Sequence, residues 1–153
     1  MIYYYQSPLG WFELVTDENA LLELQFVGSG DKAETKPQGY VQEVVQQLDQ
    51  YFDGQRQDFE LNLKPAGTDF QKSVWASLQT IPFGETVSYQ DVAAQIDNSR
   101  ASRAVGNANG KNPIAVIIPC HRVVAHSGKL GGYSSGLDKK RWLLRHAGHQ
   151  HLG

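Results

Sequence analysis

The sequence predicts an α+β protein of two small domains, a strand-rich one followed by a mainly helical one. Three observations carry this. β-rich runs broken by turn residues fill the start of the chain, and three short segments with helical apolar spacing follow one another after residue 68. Charge also divides unevenly. Residues 1–69 hold 4 basic and 12 acidic side chains, a net of −8, whereas residues 70–153 hold 10 basic and 4 acidic, a net of +6, together with all five histidines. Such asymmetry suggests a polyanion-binding module joined to an acidic companion, though surface charge alone could scatter this way.

The elements follow in order. Ile2 to Gln6 reads as a strand, Ser7-Pro8-Leu9-Gly10 as a turn, Trp11 to Val15 as a second strand and Ala20 to Val27 as a third, which together make a meander. Gly28 to Gly39 is polar and reads as a loop. Val41, Val44, Val45, Leu48 and Phe52 define one face of a helix over 40–52, stopped by Asp53-Gly54. Phe59, Leu61 and Leu63 alternate as in a half-buried strand. The first domain is expected over 1–64 and a linker over 65–69, leaving 70–153 for the second.

Thr68-Asp69-Phe70-Gln71 is a capping box that opens a helix burying Phe70, Val74 and Leu78. Ser88 starts a second helix that buries Val92, Ala93 and Ile96, and Ser99 can cap a third over 100–109, stopped by Gly110. The three resemble a helix-turn-helix, although a plain helical bundle would show the same pattern. Ile114 to Ile118 is expected to be a buried strand delivering Pro119-Cys120-His121 at its end. A glycine-rich loop, 126–136, leads to a last helix, Leu137 to His146, with Leu137, Trp142 and Leu144 among its apolar positions.

At 153 residues, 41% apolar and 20% charged, the chain has an ordinary globular composition. No apolar run approaches the roughly 20 residues that span a bilayer, and Met1 to Gln6 has neither the basic start nor the apolar stretch of a signal peptide. A cytoplasmic protein is expected. The single cysteine excludes an internal disulfide and a multi-cysteine zinc site. Cys120 is either a small buried hydrophobe or a chemical group. As a nucleophile it would need help, because a free thiol ionises only near pH 8.5. His121 and Arg122 follow it directly and offer a base and a cation.

A bare cysteine–histidine pair says little, but here it stands in a longer constellation. Asn112-Pro113 precedes the apolar run, Pro119-Cys120-His121-Arg122-Val123 follows it, and Tyr133-Ser134 lies in the loop beyond. Ile81-Pro82-Phe83-Gly84, Val87-Ser88-Tyr89, Arg103-Ala104-Val105-Gly106 and Trp142-Leu143-Leu144 complete it in order. From about Asp69 to Gly148 the sequence resembles the O6-alkylguanine-DNA alkyltransferases, the methylated-DNA–protein-cysteine methyltransferase family; the acidic part matches in outline.

The resemblance implies a ribonuclease-H-like first domain and a winged-helix-like DNA-binding domain carrying the cysteine. It implies irreversible transfer of an alkyl group from guanine O6 in duplex DNA to Cys120, without a cofactor, by a monomer. His121 would draw off the thiol proton, through a water. Tyr89 would help rotate the target nucleotide out of the minor groove, and Arg103 would fill the gap it leaves. Asn112 would organise the turn before the cysteine. Tyr133 and Ser134 would donate towards guanine O6, and the carbonyls of Cys120 and Val123 would accept from its amino group.

The chain departs from the family where a glutamate normally orients the histidine, for that position is Ala147. A water or backbone carbonyl could replace it, another carboxylate could, or activity could be reduced. No metal is expected: the cysteines that hold zinc in some members are absent, and His146, His149 and His151 read as a solvated tail. Two rival readings are a lesion-binding or regulatory DNA-binding protein without chemistry, and a cysteine hydrolase, in which cysteine and histidine normally lie far apart in sequence.

Overall fold

The computed structural model describes residues 1–29 and 36–149, which form two compact units, Met1–Ala66 with Pro113–Ala115, and Gly67–Asn112 with the chain from Val116 onward. Within the first unit, β1 (Ile2–Ser7), β2 (Gly10–Thr16) and β3 (Leu21–Val27) form an antiparallel meander in the order β1-β2-β3. Alternation along β2 turns Phe12 and Leu14 inward, where they are fully buried. Helix α1 (Tyr40–Phe52) lies on this face through Val41, Val44, Leu48 and Tyr51. A hydrogen bond from Tyr5 Oη to Asp49 Oδ1, 2.6 Å long, ties β1 to the helix.

The alternating segment 59–63 is not a strand. It makes one parallel bridge, Leu63 with Leu21. Leu21 N donates to Asn62 O at 2.9 Å, and helix side chains serve the backbone elsewhere: Gln47 Oε1 accepts from Glu60 N at 2.9 Å, Gln47 Nε2 donates to Glu60 O at 3.2 Å, and Tyr40 Oη accepts from Asn62 N at 2.8 Å. A buried amide that supplies both a donor and an acceptor replaces a neighbouring strand.

The second unit begins with α2 (Asp69–Leu78), opened by the expected capping box: Thr68 Oγ1 accepts from Gln71 N and Gln71 Oε1 from Thr68 N. Its Trp75 donates from Nε1 to Ala108 O at 2.9 Å, locking α2 onto α4 (Ser102–Gly110). A Cβ at Gly67 would stand 2.5 Å from the Trp75 ring, so only glycine lets the chain pass here. Between them, α3 (Tyr89–Gln95) has its own capping box, Ser88 with Asp91. Ser99 does not cap α4. The N-cap is Ala101, because the chain leaving α3 takes a positive φ at Asp97 and spends Ser99 inside the turn closed by Ala101 N to Asn98 O. Two short strands, β4 (Val87–Ser88) and β5 (Val123–Val124), pair in parallel, and α5 (Leu137–His146) closes the unit.

Ile114–Ile118 is a second correction. These residues are buried as expected, but they form one bridge, at Ile114, followed by turns. Val116 has φ 70°, a conformation costly for a β-branched residue, which ends any extended run. The strand of this region is β5, beyond the cysteine. Among the described residues no helix is long and apolar enough to cross a membrane.

Candidate active site

Pro119 places the cysteine. Its φ of −82° and ψ of 64° make an inverse γ-turn, with Cys120 N donating to Ile118 O at 2.8 Å, and a 3₁₀ turn over Cys120–Arg122 follows. The chain is thus bent sharply on both sides of the sulfur. Two asparagines near the end of α4 fix this bend. Asn112 Nδ2 donates to Ile118 O at 2.7 Å and Asn109 Nδ2 to Cys120 O at 3.3 Å.

Cys120 is only 5% exposed, yet it lines a cavity of about 320 Å³. That volume lies at the lower end of the range typical of small-ligand pockets. Tyr89 from α3, Gly106 and Asn109 from α4, and Tyr133 and Ser134 from the glycine-rich loop share the wall. The loop is shaped around Tyr89. At Gly131, φ is 71° and a Cβ would stand 3.0 Å from Tyr89 Oη, so both conformation and space demand glycine. Burial raises the Tyr89 hydroxyl pKa, partly offset by the Gly132 N–H.

Burial also pushes the Cys120 thiol pKa up. The side chain of Asn112, the charge of Lys140 and the side chain of Tyr133 pull it back down. His121 is completely buried, and neither ring nitrogen has a hydrogen-bond partner among the described residues. Burial, with the charges of Arg122 and Lys140, holds its pKa well below the ordinary imidazole value. The ring is therefore neutral at pH 7, able to take a proton but weakly basic. Ala147 is the C-cap of α5, and no side-chain carboxylate among the described residues bonds either nitrogen of His121.

Of the residues singled out in the sequence, Cys120, Tyr89, Tyr133 and Ser134 meet at the cavity, and Asn112 and His121 flank the cysteine. Arg103 is exposed on the first turn of α4 and is not part of the cavity wall. Val123 is fully buried behind it, its carbonyl already accepting from Lys140 Nζ at 2.7 Å. His146 is not a solvated side chain: its ring stacks on Trp142 at 5.0 Å and meets Phe83 edge-on. His151 lies outside the described residues. No group of three or more metal-ligating side chains is gathered among the described residues.

Two residues escaped the sequence reading. Lys140 is fully buried, and with Leu143 and Leu144 it forms the inward face of α5, whereas Leu137 is 40% exposed. A lysine three and four residues before two leucines is the signal that could have found it. Asn109 sits four residues after buried Val105, on the inner face of α4.

Residues 69–149 match the family described as the 6-O-methylguanine DNA methyltransferase DNA-binding domain, and residues 1–65 its ribonuclease-like domain. The methylated-DNA–protein-cysteine methyltransferase of Methanosarcina acetivorans is 47% identical, over 92% of this chain and 94% of its own. That of Mycobacterium bovis is 45% identical, over 94% and 91%. The crystal structure of Mycobacterium tuberculosis OGT in complex with DNA superposes with a TM-score of 0.85 at 43% identity, over 94% of this chain and 90% of that one. With the cysteine at the wall of an open cavity and both halves of the chain matched, this protein belongs to the methylated-DNA–protein-cysteine methyltransferase family.

Proposed function

We propose that the protein repairs alkylated DNA by direct reversal, Cys120 taking the alkyl group from O6 of guanine. The observation that carries this reading is the placement of the one thiol of the chain in the wall of the cavity, beside Tyr89, Tyr133 and Ser134. Cys120 Sγ forms a bond to the alkyl carbon as the bond from that carbon to O6 breaks. The electron pair stays on the purine, and the proton lost by the thiol ends on guanine, which leaves neutral. Neutral His121 relays that proton through a water, a role its unpartnered nitrogens leave room for. Hydrogen bonds from Tyr133 and Ser134 polarise O6 and help guanine depart.

The target nucleotide lies inside a duplex and must be turned out, at a cost of a few kcal/mol. Tyr89 assists this rotation, and exposed Arg103 on α4 takes the space left in the stack. The basic half of the chain holds the duplex from its minor-groove side. A thioether is not hydrolysed under these conditions, so each molecule acts once, as a monomer, and a cytoplasmic setting suits the reduced thiol it needs. We place the functional division at 1–64, a 65–69 linker and 70–153, although Pro113–Ala115 group with the first compact unit and α2 opens at Asp69.

The test is stoichiometry. A duplex carrying labelled O6-methylguanine, supplied in excess, transfers no more than one methyl group per protein molecule, and none to Cys120→Ala. Continued turnover would exclude the reading and favour a hydrolase; tight binding of the lesion without transfer would favour a non-catalytic sensor.

A further inference from the structure

Ile118, Cys120, Val123 and Gly132 present main-chain oxygens around the cysteine and its cavity, and each already accepts a hydrogen bond. Ile118 O takes Cys120 N at 2.8 Å and Asn112 Nδ2 at 2.7 Å. Cys120 O takes Val123 N and Asn109 Nδ2, which engages both of its lone pairs. Val123 O and Gly132 O receive Lys140 Nζ, at 2.7 and 2.9 Å. The Cys120 and Val123 carbonyls, expected from the resemblance to receive the guanine amino group, are thus engaged before any base arrives.

The side chain of Asn109 offers an acceptor that is not engaged. The residue is buried, shares the cavity wall, and has no partner for Oδ1 among the described residues. Turning the amide round does not mend this. Nδ2 is committed to Cys120 O, and the reverse orientation would set oxygen against oxygen. The hydroxyls of Tyr89, Tyr133 and Ser134 on the same wall donate or accept as they rotate, whereas an amide oxygen only accepts. A buried acceptor without a donor is costly, and the cost is recovered when a donor arrives.

An O6-alkylated guanine can supply that donor in one way. With the alkyl group on O6, ring atom N1 carries no hydrogen, and N3 and N7 are acceptors. The 2-amino group is the donor that the base has to offer.

We propose that Asn109 is a specificity-determining residue, whose Oδ1 accepts from the 2-amino group of the flipped base while Nδ2 holds Cys120 O in place. The proposal rests on the alkyl-transfer reading and names a group in the site that selects guanine. One side chain then joins the base to the backbone of the nucleophile, since both ends of the amide are used at once. A lesion that lacks the amino group leaves Oδ1 unsatisfied in the complex and is rejected for that reason.

The test compares single-turnover methyl transfer from duplexes carrying O6-methylguanine or O6-methylhypoxanthine, which differ only in the 2-amino group. The acceptors are the intact protein and Asn109→Leu. Leucine is close to asparagine in size but neither donates nor accepts. The ratio of the two rates is read, so that an effect on the sulfur or on folding, common to both substrates, cancels. The unaltered protein is expected to prefer the aminated base, and Asn109→Leu to lose roughly tenfold of that preference. An unchanged ratio, even with both rates reduced, overturns the proposal and leaves the amide a strut for Cys120 O.

Should Asn109→Leu fail to fold, the Asn109 side-chain amide resonances are followed in Cys120→Ser, whose hydroxyl does not take the methyl group, as each duplex is added. A larger shift with O6-methylguanine than with O6-methylhypoxanthine is expected, and equal shifts overturn the proposal. No transfer to the intact protein from either duplex sinks the repair reading, and the same resonances then judge Asn109 by binding alone. Transfer with an unchanged ratio sinks the role of Asn109 and leaves repair standing.

Discussion

Mild acid should destabilise this protein through His121. The ring is completely buried with no partner on either nitrogen, and its pKa in the folded state lies well below 6.5. When the chain unfolds, the imidazole regains its ordinary affinity for a proton. Between the two pKa values the unfolded state binds more protons, so stability is full above about pH 6.5 and is lost as the pH falls towards the folded-state value. If the folded ring takes up no proton, lowering the pH from 7 to 5.5 costs about 1.3 kcal/mol from this side chain. In a chain of this size that lowers Tm by roughly 3–5 °C. Urea unfolding at a series of pH values, in the intact protein and in His121→Gln, isolates the contribution, because glutamine does not titrate. The difference in stability between the two proteins should narrow or widen by that amount over the interval, always to the disadvantage of the histidine at low pH. Parallel curves would mean that the folded ring protonates as readily as the unfolded one. A neutral His121, and the electrostatics built on it, would then be wrong.

Four further outcomes are expected. Ala147→Glu supplies an acceptor at the position where the resemblance implies a glutamate; it is expected to raise the His121 pKa and speed methyl transfer from DNA in a timed assay, and an unchanged rate would show that the carboxylate is not missed. Gly131→Ala forces a side chain into a positive-φ position 3.0 Å from Tyr89 Oη and costs roughly 1–2 kcal/mol, read as a lowered urea midpoint. Asn112→Ala removes the 2.7 Å hydrogen bond to Ile118 O and the support of the thiol, destabilising by about 1–3 kcal/mol and shifting Cys120 alkylation to higher pH. Arg103→Ala, at an exposed position, leaves the unfolding midpoint within about 0.5 kcal/mol of the original but slows repair of duplex more than of single-stranded substrate.

The sequence was most readable where local chemistry decides the structure. The meander of β1 to β3, helix α1 with its stop at Asp53-Gly54, and the capping boxes at Thr68 and Ser88 each rest on a pattern a few residues long. It was least readable where tertiary partners decide. Apolar Ile114–Ile118 announced burial but not extension, because burial can be met by turns when Asn112 satisfies the carbonyl of Ile118. Phe59–Leu63 alternated like a strand, yet the Gln47 amide took the place of a ladder. In the site, Cys120 and its companions on the loop stood out as a constellation. Lys140 did not, since a lysine beside Lys139 and Arg141 looks like a solvated face until the two carbonyls that hold it are seen. The lack of an acidic partner for His121 was foreshadowed by Ala147. The ring's complete burial was not, because no short pattern distinguishes a buried imidazole from an exposed one.

The central claim is that one sulfur removes the alkyl group and keeps it. Intact mass, followed by peptide mapping, after incubation with a duplex containing a single O6-methylguanine tests this most directly. The account predicts a gain of one methyl group, confined to the peptide that holds Cys120, with unmodified guanine restored in the DNA. A protein of unchanged mass, or a methyl group carried on any other residue, would contradict it.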